Sequence, residues 1–121
     1  MSQQTAPVLL VEDDPLVLDC TAEILADGGF EVTRARTVDE AIELLERGPV
    51  PSVLVTDIAL SQGRSGLDLA RIVAERWPDV RLLIVSGSER PPPQDYPERA
   101  LFFTKPYPGD ALVAMVKGSD W

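Results

Sequence analysis

The sequence predicts an α/β fold in which a parallel sheet of five strands is covered by helices on both faces. Five short apolar runs alternate with longer amphipathic stretches along the chain. The runs are apolar at nearly every position, as expected of strands that are buried on both faces. No internal repeat or linker interrupts the chain, so we expect one domain over residues 1–121, with a folded core at about 8–116.

The first strand is predicted at residues 8–11, and the helix after it has a strong start signal. Asp14 suits the N-cap and Pro15 the first helical position. The helix is expected to end at Gly28 and Gly29. Apolar residues at helical spacing are predicted to form its buried face: Leu16, Val17, Cys20 and Ile24. Cys20, the single cysteine, is therefore expected to be a small buried residue and excludes an intramolecular disulfide.

The second strand, at residues 30–34, precedes a helix with a capping box. Thr37 and Glu40 stand at the spacing of that motif, and the helix is expected to stop before Gly48 and Pro49. Its apolar face is predicted to comprise Val38, Ala41, Ile42 and Leu45.

Three further strands are predicted at residues 53–56, 81–85 and 101–103. A polar loop at 60–65 leads from the third strand into a helix that ends before Pro78. The apolar face of this helix is predicted to comprise Leu69, Ile72, Val73 and Trp77. A short last helix is predicted to place one side against the sheet: Leu112, Met115 and Val116.

The segment at residues 88–97 interrupts the alternation of strands and helices. A helix is expected between the fourth and fifth strands, but the sequence here has three consecutive prolines at 91–93. Proline lacks a backbone donor and clashes with the preceding turn, so a run of three excludes a regular helix. At most a helical turn is expected, around 95–100.

The charge of the chain excludes some classes of partner. Lys and Arg number 11 against 20 Asp and Glu, a net charge of −9. Nucleic acid and anionic membrane surfaces are therefore disfavoured as partners. No apolar run approaches the ~20 residues that span a bilayer. The first residues lack the features of a signal peptide, and a cytoplasmic location is expected.

Polar side chains follow the predicted strands where their carboxyl ends would meet. Glu12 and Asp13 follow the first strand, Asp57 the third, Ser86 the fourth and Lys105 the fifth. Open α/β sheets bind ligands at this edge. Two carboxylates 4 Å apart repel by about 4 kcal/mol at an effective dielectric constant near 20, so a proton or cation must neutralise them. Mg²⁺, which takes oxygen ligands and retains waters, is the cofactor that suits this set.

The same residues suit phosphoryl transfer. The carboxylate of Asp57 can attack phosphorus and become an aspartyl phosphate. Lys105 can neutralise the phosphoryl oxygens, and Ser86 can donate a hydrogen bond to them. Each feature alone has an ordinary explanation as a helix cap, a turn or a surface lysine. Only their joint occurrence at one sheet edge points to a site.

The chain resembles a receiver domain of the two-component response regulators. The matching motifs are Val11-Glu12-Asp13-Asp14-Pro15, Asp57-Ile58 with Gly66-Leu67, Val85-Ser86-Gly87 and Lys105-Pro106-Tyr107. The resemblance runs over essentially the whole chain. It implies a doubly wound, flavodoxin-like parallel sheet with strand order 2-1-3-4-5, here with a degenerate or missing fourth helix.

The resemblance also implies a role for each site residue. Asp57 would accept a phosphoryl group from the phosphohistidine of a histidine kinase or phosphotransfer protein. Lys105 would pair with that group, and Ser86 and Phe102 would act as the switch residues. The implied protein ligands of Mg²⁺ are Asp13, Asp57, the backbone carbonyl of Ala59 and, often through water, Glu12. The domain would promote only its own phosphorylation and dephosphorylation, and would otherwise not be an enzyme.

Two departures from the family pattern concern the output. Ser61 stands where the family usually has proline, and residues 89–97 replace most of the helix that normally contributes to the signalling surface. We therefore expect an altered surface around 88–100, read by a downstream protein partner. The proline-rich segment is either the recognised element or a rigid loop, and the formation of a homodimer is left open.

Three alternatives remain at this point. The chain is a pseudo-receiver, an interaction module that is not phosphorylated. It is a receiver excised from a hybrid histidine kinase. Or it is a phosphatase with an aspartyl nucleophile, although such enzymes usually carry a second acid where this chain has Ala59.

Overall fold

The structure, a computed structural model, describes residues 6–60, 65–87, 92, 94, 96–105 and 109–118. It confirms the predicted fold: a five-stranded parallel sheet in the order β2-β1-β3-β4-β5. In chain order the elements are β1 (Ala6–Val11), α1 (Pro15–Asp27), β2 (Phe30–Ala35), α2 (Val38–Arg47), β3 (Val53–Asp57), α3 (Gly66–Arg76), β4 (Arg81–Ser86), β5 (Leu101–Thr104) and α4 (Gly109–Lys117).

Helices cover both faces of the sheet, which makes the fold doubly wound. Side chains of α2 and α3 pack with one face in a cluster that includes Leu45 and Leu69. Side chains of α1 and α4 pack with the other face in a cluster that includes Leu25 and Leu112. Every residue of β3 is buried, as expected of the central strand of a parallel sheet, including the polar Thr56 and Asp57.

The strands extend slightly beyond their predicted ends, and this defines the position of the site. Asp57 is the last residue of β3 and pairs with Val85, rather than following the strand. Ser86 is likewise the last residue of β4 and pairs with Thr104. Both polar side chains are therefore held by strand pairing at the carboxyl edge of the sheet.

The predicted helix starts are confirmed. Asp14 caps α1, and its side chain accepts hydrogen bonds from the backbone N–H groups of Leu16 and Val17. Thr37 caps α2 and accepts from the N–H of Glu40, but the Glu40 side chain accepts from the N–H of Arg36, so the predicted capping box forms only in part. Ser65, predicted only as the end of a loop, caps α3 in a reciprocal capping box with Asp68.

The predicted buried face of α1 is largely wrong, although Ile24 packs against the cluster that contains Leu25. Leu16 is 72% exposed and Cys20 is also exposed. The buried residues are instead Leu18, Thr21, Ala22 and Leu25. Two stripes of similar spacing run along this helix, and the one with two leucines and Ala22 buries more apolar area against the sheet. Because the polar Thr21 interrupts that stripe, the apolar pattern of the sequence did not identify it as the buried face.

The described residues between β4 and β5 contain no α-helix, in agreement with the predicted loss of a helix there. The backbone forms a turn in which the N–H of Ala100 donates to the carbonyl of Pro97 at 3.0 Å. The predictions for Ser61, for Pro106 and for most of 88–97 lie outside the described residues. In the described part of the chain, no helix has the length and apolar character needed to cross a bilayer.

Candidate functional site

Two buried carboxylates and one ammonium meet at the carboxyl edge of the sheet. Glu12 follows β1 and is 5% exposed, and Asp57 at the end of β3 is 8% exposed. The Nζ of Lys105, which follows β5, lies 2.9 Å from Oδ2 of Asp57 and 3.3 Å from Oε1 of Glu12. The ammonium therefore neutralises part of the charge that burial would otherwise make costly.

The Asp57 carboxylate is held in one orientation. Its Oδ1 accepts a hydrogen bond of 3.1 Å from the N–H of Ala59, and Lys105 holds the other oxygen. The backbone behind it is fixed as well, because the N–H of Ile58 donates to the carbonyl of Val85 at 3.0 Å. The carboxylate thus faces the sheet edge with both oxygens oriented.

Gly66 allows α3 to start directly against the backbone of Asp57. A Cβ at this position would lie 1.8 Å from the carbonyl oxygen of Asp57, closer than any side chain tolerates. The N–H of Gly66 also donates to the carbonyl of Ile58 at 2.9 Å. Sequence reasoning cited Gly66 only as part of a motif. Neither that motif nor the position of Gly66 after the helix cap indicates the close contact, which only the structure reveals.

Burial gives Glu12 an unusual protonation equilibrium. Its pKa is raised from 4.5 to about 7, mainly by removal from water and further by contact with the Asp57 carboxylate. The N–H of Asp14, which donates to Oε2 at 3.1 Å, and the charge of Lys105 act in the opposite direction but do not outweigh burial. Glu12 therefore titrates near neutral pH in the metal-free protein.

Lys105 remains a cation. Burial alone would lower its pKa, but the hydrogen bonds and charges of Asp57 and Glu12 outweigh burial and raise the pKa above its ordinary value. The lysine is positioned through its backbone, because its N–H donates to the carbonyl of Ser86 at 2.7 Å. This bond continues the pairing of β4 with β5 by one residue and brings Nζ over the carboxylates.

The two predicted switch residues occupy different places. Ser86 is 6% exposed and lies at the carboxyl edge, one strand from Asp57. Phe102 is half-buried in β5, where it pairs with Ile84 and packs with the cluster on the α2 and α3 face. The ring centroid of Tyr96 lies 5.6 Å from that of Phe102, with 42° between the planes. The switching roles of both residues stay predictions.

The structure brings two of the predicted metal ligands together. Glu12 and Asp57 are brought together by Lys105, whereas Asp13 is half-buried and its backbone carbonyl accepts a hydrogen bond from Arg36. Across the described ranges, no group of three or more His, Cys, Asp or Glu side chains is placed to hold a metal ion. The donor chemistry still fits Mg²⁺, since the predicted protein ligands are all oxygen atoms on adjacent strand ends. The predicted role of the Ala59 carbonyl remains untested.

One polar residue beneath the site escaped the sequence analysis. Thr21 of α1 is 7% exposed and lines a small cavity beside the carboxylates. The cavity is otherwise formed by Leu10, Val11, Glu12, Val55, Asp57, Val85 and Lys105. The available signal in the sequence was a threonine within an apolar helical stripe, in the helix that directly follows a strand ending in acidic residues.

Comparison with known proteins agrees with this arrangement. The response regulator receiver domain family matches residues 8–117, nearly the whole chain. The chain belongs to the response regulator receiver family. It is thus a receiver domain of a two-component system, and receivers are signalling domains that are generally not enzymes.

Relatives of this receiver differ in length. The phyllosphere-induced regulator PhyR of Methylorubrum extorquens is 30% identical over 90% of this chain, which spans 41% of that protein. The response regulator receiver protein CpdR of Brucella abortus is 31% identical over 83% of this chain and 84% of its own length. For the first curated relatives that it matches, PhyR among them, the chain spans less than half of their length.

A solved relative shows the same fold over the same length. The receiver protein from Sinorhizobium medicae WSM419 superposes with a TM-score of 0.87 and is 27% identical, with 96% of this chain and 94% of that chain covered. Such a match over nearly both chains confirms the flavodoxin-like architecture and its strand order.

Proposed function

We propose that this receiver accepts a phosphoryl group on Asp57 from the phosphohistidine of a histidine kinase or phosphotransfer protein, in a Mg²⁺-dependent reaction. The observation that carries the proposal is the oriented, buried Asp57 carboxylate beside the Lys105 ammonium, 2.9 Å from it. Phosphoryl transfer depends mainly on positioning and on neutralisation of charge, and this geometry supplies both.

The transfer conserves charge and atoms without a redox partner. An oxygen of Asp57 forms a bond to phosphorus while the phosphorus–nitrogen bond of the phosphohistidine breaks. The electron pair of that bond stays on the imidazole nitrogen, which takes up a proton. The N–H of Ala59 and the ammonium of Lys105 keep the carboxylate in a fixed orientation for this attack. Lys105 can then pair with the phosphoryl oxygens, and Ser86 can donate its hydroxyl to them.

Receiver domains typically bind Mg²⁺ for phosphorylation, and oxygen ligands are available here for such an ion. Asp13, Asp57 and the Ala59 carbonyl would hold it, with Glu12 assisting. Bound there, Mg²⁺ would neutralise the phosphoryl oxygens and the carboxylates together. Glu12, with a pKa near 7, would lose its proton on binding.

We propose that a downstream protein partner transmits the signal by binding the surface around residues 88–100. The contact between Tyr96 and Phe102 supports this, because a change in the position of the Phe102 ring must alter the packing of Tyr96. Arg99 ties the same segment to the core, since its Nη1 donates to the carbonyl of Val80 at 2.5 Å. A cytoplasmic location and the formation of a homodimer stay predictions.

The domain would also release its own phosphate. Water can attack the phosphorus of the aspartyl phosphate, which returns the Asp57 carboxylate and inorganic phosphate. Ala59, which is exposed and has a one-carbon side chain, leaves an approach for that water. This reaction and phosphorylation itself are the only chemistry we assign to the domain.

The test is intact-mass analysis after incubation with a histidine-kinase donor, with and without Mg²⁺. The proposal predicts the gain of one phosphoryl group that needs Mg²⁺ and is lost in D57N. D79N, which changes an exposed acid at the opposite end of the sheet, is the matched control and should react as the wild type does. Absence of the added mass with a competent donor would instead favour the pseudo-receiver.

A further inference from the structure

Arg36 is not among the predicted site residues but contacts the backbone of one of them, Asp13. It follows β2, and its Nη2 donates a 3.2 Å hydrogen bond to the carbonyl oxygen of Asp13. The two residues are 23 positions apart in the chain, so the bond joins two separate loops at the carboxyl edge of the sheet. Neither the sequence motifs nor the proposed phosphotransfer reaction assigns a function to Arg36.

The arginine is itself fixed. Its backbone N–H donates to Oε1 of Glu40 at 2.7 Å, and the N–H of Glu40 donates to the hydroxyl of Thr37, the cap of α2. These bonds hold the Arg36 backbone against the first turn of α2. The guanidinium is therefore attached to a rigid helix end rather than to a free loop.

Further hydrogen bonds hold the contacted loop on either side of Asp13. The N–H of Glu12 donates to the carbonyl of Ala35, and the N–H of Asp14 donates to the side chain of Glu12. The carbonyl of Asp14 belongs to α1, where it accepts from the N–H of Leu18. The peptide group between residues 13 and 14 is thus oriented from the carbonyl side by Arg36.

We infer that Arg36 is a positioning residue for the metal: it fixes the peptide group after Asp13 and so orients that carboxylate toward Mg²⁺. This inference rests on the proposed function, in which Asp13 is a direct ligand. Residues that orient metal ligands typically change affinity about 10- to 100-fold when they are removed. Because Arg36 is exposed, we expect R36M to weaken Mg²⁺ binding by about 10-fold, the low end of that range.

Electrostatics alone predicts the opposite change in Mg²⁺ affinity for R36M. Arg36 carries a positive charge beside an acidic site, so its removal should favour a divalent cation slightly. R34M is the matched control, because Arg34 is exposed near the end of β2, two residues before Arg36, and pairs with Asp19 at 2.6 Å. It removes the same charge without a contact to Asp13, and should leave Mg²⁺ affinity unchanged or slightly increased.

The experiment is a calorimetric Mg²⁺ titration of wild type, R36M, R36K and R34M, with thermal unfolding of each protein. We expect about 10-fold weaker binding for R36M and partial recovery for R36K, whose ammonium can still donate to the carbonyl. Unfolding temperatures should agree between R36M and R34M. Equal affinities of R36M and R34M would overturn the inference, whereas a wild type that binds no Mg²⁺ would overturn the proposed function on which it rests.

Amide exchange of the metal-free proteins provides a second readout. If Arg36 orders the loop, R36M should speed exchange at Asp14 at least several-fold and leave the first turn of α2 unchanged. The α2 amides report whether Thr37 and Glu40 still cap the helix. Unchanged exchange at Asp14 would contradict the positioning role even if Mg²⁺ affinity fell.

Discussion

Substitution of Glu12 by glutamine should stabilise the metal-free protein in a pH-dependent way. Gln mimics the protonated carboxyl in size and polarity. Burial raises the pKa of Glu12 from 4.5 to about 7, so the folded protein disfavours the ionised form that the unfolded chain adopts freely. The contribution of Glu12 to the stability of the wild type is therefore fully present below pH 4.5 and is lost as the pH rises toward and through 7.

The magnitude follows from the two pKa values. The difference between 4.5 and about 7, at about 1.4 kcal/mol for each pH unit, corresponds to about 3 kcal/mol of unfolding free energy. A chain of 121 residues gains about 4 °C in Tm for each kcal/mol, from an unfolding entropy of about 2.1 cal/mol/K per residue. E12Q should thus melt about 12 °C above the wild type at pH 8 and at nearly the same temperature near pH 4.5.

The assay is thermal unfolding followed by circular dichroism between pH 4.5 and 8, with EDTA present to remove divalent cations. E23Q, which removes the same charge from an exposed position on α1, is the control and should follow the wild type at every pH. Parallel pH profiles for E12Q and the wild type would refute the reasoning. They would mean that burial beside Asp57 does not penalise the ionised carboxylate.

Three further substitutions test the supports of the site. G66A should destabilise the fold by about 3 kcal/mol in urea denaturation, the upper end of overpacking costs, because its Cβ would overlap the carbonyl of Asp57. G87A, whose Cβ meets no atom within 4 Å, is its control, and equal stabilities of the two variants would contradict the packing argument. K105M should bind Mg²⁺ no more weakly than the wild type but lose the chemical-shift changes that phosphorylation causes in β5; weaker binding would mean that Lys105 arranges the carboxylates as well as neutralising them. D14A should cost about 1 kcal/mol and speed amide exchange in the first turn of α1, since it removes the acceptor for two N–H groups. T37A should have the same cost but speed amide exchange in the first turn of α2 only. Unchanged amide exchange in the first turn of α1 in D14A would rule out the capping role of Asp14.

The fold was predictable because its signals are local. Continuous apolar runs identify buried parallel strands, and the caps at Asp14 and Thr37 fix the starts of two helices. The strand order has no local signal, because it depends on which apolar runs pair across the sheet. Only the resemblance to receiver domains supplied it, and the observed pairing confirms it.

The face of α1 was not predictable from spacing alone. Positions 17, 20 and 24 and positions 18, 22 and 25 both satisfy a helical stripe, and the choice depends on the surface of the sheet beneath. Thr21 counted as polar in the sequence, yet it is buried beside the site. A helix that packs above polar strand ends can bury a small hydroxyl that an apolar pattern overlooks.

Contacts between distant segments account for the rest of what sequence reasoning missed. The residue type of Lys105 predicted its charge, but only the structure places its Nζ between Glu12 and Asp57. The contact of Gly66 with the Asp57 carbonyl and the bond from Arg36 to Asp13 likewise join separate elements. No periodicity or motif spacing reports such contacts, because they depend on how helices and loops meet the sheet edge.

The most direct test of the account is to locate the phosphoryl group itself. Borohydride reduces an aspartyl phosphate to homoserine, and peptide mass mapping then identifies the modified position. After phosphorylation in the presence of Mg²⁺, we expect homoserine at position 57 and at no other aspartate, and none when EDTA replaces Mg²⁺. Reduction at Asp13 or elsewhere, or unchanged labelling with EDTA, would contradict the assignment of Asp57 as the Mg²⁺-dependent phosphoacceptor.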